Sequence, residues 1–163
     1  MCEIKGLSLF ANVGIAEAMF DEIGVKILLA NEIDERRARF YSEVYPDTEM
    51  ICGDITDDSI RDHIVEEAIK KGVNFIIATP PCQGMSVAGN RDPEDPRNQL
   101  ISYAIDVIKR VSPDFVMLEN VPRQLSTKIR IDGETIKIPD YIKKELEGDY
   151  LFNKKTLAKT KDF

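Results

Sequence analysis

Short apolar runs alternate with amphipathic stretches along this chain, and several of the runs end in a polar or acidic cluster. Residues 5–10 read as a first strand and residues 15–23 as a helix. Residues 25–30 form a second strand that ends in Asn31-Glu32-Ile33-Asp34, and residues 35–45 a helix stopped by Pro46. A short strand at 50–52 runs into Gly53-Asp54-Ile55. Asp58 or Ser59 caps the next helix, which reaches Lys71 and is closed by Gly72. Phe75-Ile76-Ile77-Ala78 is a buried strand, residues 99–111 a helix, and Phe115-Val116-Met117-Leu118 a further strand. Repeated strand–helix units give an α/β fold, a doubly wound and mostly parallel sheet, with ligands at the carboxyl ends of its strands. Beyond it, residues 128–138 alternate around Asp132-Gly133 as a tight hairpin does. A short helix at 141–146 and a last strand at 150–157 follow.

A length of 163 residues supports one domain with a real core. No run approaches the ~20 apolar residues of a membrane span, and the first residues lack the apolar core of a signal peptide. We therefore expect a cytosolic (cytoplasmic) protein with no membrane partner. Cys2, Cys52 and Cys82 are widely separated and form no CxxC pair, so no metal site and no disulfide framework is expected. The net charge of −7 argues against a self-sufficient nucleic-acid binder, because phosphate contacts need Lys and Arg.

Three strand ends suit a nucleoside cofactor. Phe10-Ala11-Asn12-Val13-Gly14-Ile15 follows the first strand, Glu32 the second and Asp54 the third. A tight first turn lets backbone approach a ligand, and an acid ~20 positions on accepts ribose hydroxyls. Asn12 stands where a glycine is usual, and Asn tolerates left-handed geometry. No pyrophosphate cradle is evident, which favours S-adenosylmethionine (SAM). The same acids, Glu32 and Asp54, equally suit helix caps or solvated loops.

Thr79-Pro80-Pro81-Cys82-Gln83-Gly84 and Glu119-Asn120-Val121 carry the chemistry. Each follows an apolar run, so in one parallel sheet a thiol and a carboxyl share an edge. Two prolines ahead of Cys82 aim it rigidly. A free thiol is only a few per cent thiolate at neutral pH, so the site must help. A partly buried Glu119 would stay protonated and donate to a ring nitrogen. Cys2 and Cys52 read as structural. Residues 80–96 form a long loop whose Gln83, Ser86, Asn90 and Arg91, with Arg97 beyond, suit phosphate contacts, although its acids also suit a plain solvated loop. His63 reads as exposed.

Taken in order, these motifs resemble the cytosine-C5 DNA methyltransferase family over essentially the whole chain. Residues 81–86 are similar to the nucleophile motif and 119–121 to the acid motif. Phe10, Ala11, Asn12, Gly14 and Ile15 resemble the first SAM motif, Glu32 and Ile33 the ribose-binding one, and Asp54 and Ile55 the adenine-binding one. Leu100 resembles a residue lining the SAM pocket, and Pro81 belongs to the same set. Gln83, Ser86, Arg91, Arg97, Asn120 and Val121 fall on the nucleic-acid side.

The resemblance implies a Rossmann-like SAM-dependent methyltransferase fold, incomplete at its carboxyl-terminal end. Residues 1–163 would form a partial catalytic domain, and the target-recognition domain would be absent. It implies DNA methylation, as in restriction–modification systems. It also implies a missing half or second polypeptide as partner, and an uncovered sheet edge favours self-association. A tRNA cytosine-C5 methyltransferase of the same fold, or a SAM-binding part inert by itself, remains an alternative. Amino-group methyltransferases favour a Pro-Pro-aromatic motif, and a nicotinamide dehydrogenase needs a richer glycine fingerprint.

Overall fold

A computed structural model describes residues 3–81, 99–119, 126–131 and 133–152 of the chain. It divides into two compact units, residues 1–81 with 100–120, and residues 82–99 with 121–163.

The first unit holds a five-stranded sheet of β1 (Ile4–Leu9), β2 (Val25–Glu32), β3 (Glu49–Cys52), β4 (Phe75–Ala78) and β5 (Phe115–Leu118). Their order is β3-β2-β1-β4-β5, and every pairing is parallel. The burial pattern follows from that order. β1, β2 and β4 lie inside the sheet and are buried over most of their length, so they need near-continuous apolar runs. β3 and β5 are the outer strands and alternate or are exposed. Three helices connect the strands: α1 (Glu35–Val44), α2 (Asp58–Lys71) and α3 (Leu100–Val111). α1 packs on β2 and β3, and α2 packs on α3 and β2. Ile101, Ala104, Ile105 and Ile108 repeat at helical spacing along α3 and are all buried, which anchors that helix.

Two helix ends follow from single residues. Asp57 accepts the Ser59 N–H at 2.8 Å and is the N-cap of α2, one residue ahead of the expected Asp58 or Ser59. Gly72 ends α2 with φ 66°, in the left-handed region that costs an L side chain strain.

The helix expected at 15–23 is absent. Ala18, Phe20, Ile23 and Gly24 donate to carbonyls three residues back, so the segment is a series of tight turns ending in a 3-10 helix, Asp21–Ile23. Cys52, at the end of the outer strand β3, is exposed.

In the second unit, β6 (Lys128–Ile131) and β7 (Glu134–Lys137) pair antiparallel, with Gly133 at φ 84°, as the hairpin reading required. α4 (Ile138–Leu146) follows and begins three residues earlier than expected. The last strand read at 150–157 has no regular structure over 150–152, and the rest lies outside the described residues.

Candidate functional site

The carboxyl ends of β1, β2 and β3 meet on one edge of the sheet, and the chain turns there in an unusual way. Phe10, Asn12 and Gly14 have φ of 59°, 54° and 80°. Ala11 continues the β1 ladder by donating to the Asn31 carbonyl at 2.9 Å, and the Gly14 N–H closes the turn on the Ala11 carbonyl at 2.9 Å.

Glu32 is the centre of the arrangement. It is buried, with one carboxylate oxygen accepting the Asn12 N–H at 2.8 Å and the other the Asp34 N–H at 2.9 Å. The carboxylate thus ties the first turn to the second, and each oxygen keeps a lone pair for a ligand. Asp34 then starts α1, accepting the Arg36 and Arg37 N–H groups, and these bonds hold its carboxyl below the usual range. Asn31 reaches the third strand, with its amide donating to the carbonyls of Ile51 and Gly53 at 2.9 and 3.0 Å.

Asp54 is exposed and accepts the Thr56 N–H at 2.9 Å, so it shapes its own loop while facing solvent. Ile55 is buried, and its carbonyl accepts from Arg61 at 3.0 Å. Arg61 is itself fixed by Asp106 at 2.9 Å and by the Tyr103 ring beneath it. Ile33 and Ile15 are exposed, whereas Ala11 is buried.

The fourth and fifth strand ends join the same edge. Thr79 donates through its hydroxyl to the Phe10 carbonyl at 3.0 Å and through its N–H to Leu9 at 3.2 Å, so the residues leading to Pro81 are tied to the first turn. Pro81 is exposed and Leu100 half-buried. The Glu119 N–H donates to the Ala78 carbonyl at 3.1 Å. Its side chain is exposed, not partly buried as expected, because β5 is the outermost strand.

Cys82, Gln83, Ser86, Arg91, Arg97, Asn120 and Val121 lie outside the described residues. Among the other thiols, Cys52 is held in its neutral form. Desolvation raises its pKa first, and the carboxylates of Glu35, Glu32 and Asp34 add to that. His63 is exposed as expected, and the described residues contain no cluster of potential metal ligands.

Sequence reasoning passed over Asn31, Ser8 and Glu17, which with Glu32 are the buried polar residues of the described chain. An acid inside Ile15-Ala16-Glu17-Ala18-Met19-Phe20 was the available signal for Glu17.

Residues 4–158 match the family described as C-5 cytosine-specific DNA methylase. The chain belongs to that family. Within it, this chain is 41% identical over 152 residues to the Type II methyltransferase M1.HgaI of Avibacterium volantium, covering 90% of this chain and 43% of that protein. It is 37% identical over 124 residues to the Type II methyltransferase M.DdeI of Desulfomicrobium norvegicum, covering 76% and 29%. The chain thus spans less than half the length of these curated relatives. Its fold is similar to a solved structure provisionally assigned as a DNA modification methyltransferase encoded within an E. coli prophage (TM-score 0.69, 23% identity, 90% of this chain and 38% of that one). It is also similar to a mutant of Spodoptera frugiperda DNMT2 (TM-score 0.59, 20% identity, 88% and 40%). Among the described residues, no helix is long and apolar enough to cross a membrane.

Proposed function

We propose that this chain carries the cofactor-binding and nucleophile-bearing part of a cytosine-C5 DNA methyltransferase. The observation that supports it most is the buried Glu32 carboxylate, oriented by two backbone N–H groups beside a left-handed turn. SAM is the methyl donor this edge suits. Glu32 would take the ribose hydroxyls and Asp54 the adenine amino group. Phe10, Ile33, Ile55, Pro81 and Leu100 would supply apolar contact. When bound, SAM supplies an electrophilic methyl group.

The chain's own contribution is Cys82 and Glu119, assigned by motif. Cys82, as thiolate, bonds to C6 of the cytosine while Glu119 donates a proton to N3, which moves electron density to C5. Once C5 has gained its methyl group, a base removes the C5 proton and the C5–C6 double bond re-forms. That expels the Cys82 thiolate, and the N3 proton returns to Glu119. This is covalent catalysis with general acid assistance. The base must leave the duplex first, costing a few kcal/mol.

The charge of −7 leaves most of the DNA grip to a second part of the enzyme or a partner chain. The cytosol is where such an enzyme would work, and the Type II relatives suggest a restriction–modification role. The test supplies a complementing half and DNA containing 5-fluorocytosine, whose fluorine cannot leave as a proton does. Mass spectrometry should find the trapped adduct on Cys82, and an adduct that survives Cys82→Ser would overturn the mechanism. Calorimetry with SAM and with NAD tests the cofactor, and tighter NAD binding would overturn that assignment.

A further inference from the structure

The turn at residues 10–15 is held from behind by groups that take no part in the proposed chemistry. The Tyr45 hydroxyl donates to the Gly14 carbonyl at 2.6 Å. A Cβ at Gly14 would come within 2.2 Å of the Tyr45 ring and 3.0 Å of the Tyr41 ring, so both rings lie against this residue. The two tyrosines are one helical turn apart, with ring centroids 4.7 Å apart, and Tyr41 is fully buried against Ala11 and Ala30. Glu17 lies just past the turn and is only 4% exposed. One of its oxygens accepts the Ser8 hydroxyl of β1. Among the described residues, its other oxygen is buried without a hydrogen-bond partner. A cavity of about 140 Å³ opens beside Glu17, lined also by Phe20, Tyr45 and Thr48.

We propose that Tyr41, Tyr45 and Glu17 are positioning residues of the cofactor turn. The tyrosines fix residues 10–15 in their left-handed course, and Glu17, through its bond with Ser8, keeps the following segment against β1. This rests on the SAM reading above. Left-handed φ at Phe10 and Asn12 is unfavourable for L residues, so the turn relaxes unless its surroundings over-determine it. Two anchors do so: Asn12 is held through its N–H by Glu32, and Gly14 through its carbonyl by Tyr45.

Glu17 suits the neutral form. Burial raises its pKa, and the Ser8 hydrogen bond opposes that only in part. The titratable groups around it are Tyr41 on α1, Tyr45 just past its end, and Asp21, Lys26 and Asp47 along the cavity wall. A group with a raised folded-state pKa contributes fully below its ordinary value, and the contribution is lost as pH rises through the raised one. Ionised Glu17 would draw water into the cavity and loosen the turn, so SAM affinity should fall over that rise.

The test uses the 163-residue chain as wild type, Tyr45→Phe and Glu17→Gln. SAM is titrated by calorimetry from mildly acidic to mildly alkaline pH, and amide exchange is followed without ligand. Tyr45→Phe should weaken SAM by about threefold to tenfold, the worth of one hydrogen bond. It should speed exchange at Asn12 and Gly14 while the β2 amides stay protected. Glu17→Gln should keep the low-pH affinity and remove the decline that the wild type shows as pH rises. Unchanged affinity and exchange in Tyr45→Phe, or an equal decline in Glu17→Gln, overturns the proposal. A wild-type chain that prefers NAD overturns the SAM reading instead, and exchange in the ligand-free chain still decides the positioning role.

Discussion

Glu32 does two jobs with one carboxylate, and its isostere separates them. Gln in its place keeps one acceptor but turns an NH2 group toward either the Asn12 or the Asp34 N–H. Losing a hydrogen bond to a charged group costs about 1.5–3 kcal/mol. Glu32→Gln should therefore weaken SAM by roughly tenfold to a hundredfold in calorimetry. Glu32 was legible from its distance in sequence to the first turn. Asn31 beside it was not, because its amide gains meaning only once β3 lies alongside to offer carbonyls.

At the scale of elements, ends were more legible than interiors. Gly72 was read from sequence as the stop of α2, and no neighbouring atom lies within 4 Å of where its Cβ would sit. Gly72→Ala therefore isolates backbone strain and should cost about 1–2 kcal/mol in denaturant unfolding. At the other end, Asp57 is held below its ordinary pKa of 3.8, chiefly by the Ser59 side chain and N–H. A depressed carboxyl contributes stability above its ordinary pKa and loses it as pH falls through the lower folded value. Asp57→Ala should lower Tm at neutral pH, and the difference from wild type should shrink in that acid range. The segment 15–23 shows where periodicity misleads. Ile15, Met19 and Ile23 keep helical spacing, yet all are exposed and the backbone turns every three residues. Apolar spacing describes a helix only if the chain can propagate one, and Gly14 at φ 80° gives the segment a non-helical start.

The whole first unit was legible as a doubly wound sheet because its apolar runs are short and separated by helices. What lies beside that sheet was not, because an outer strand looks alike in sequence whether covered or bare. Phe115 and Met117 of β5 are 58% and 45% exposed, an apolar face that suits self-association. Met117→Glu should shift sedimentation toward monomer with little change in Tm. A charge of −7 also opposes a polyanion. With tritiated SAM and mixed DNA, the chain alone should transfer no methyl groups, and a complementing half should restore transfer.

The position of β1 has a consequence for how the chain is made. It is translated before the other four strands of its sheet yet ends between β2 and β4. β2 follows soon after and can pair with it, but the opposite edge waits for residues 75–78 to leave the ribosome. Throughout that interval Leu7 and Leu9, fully buried once folding is complete, stand beside an open ladder on the nascent chain. Such edges invite chaperones and wrong partners alike. Slow codons between β2 and β4 would lengthen that exposure.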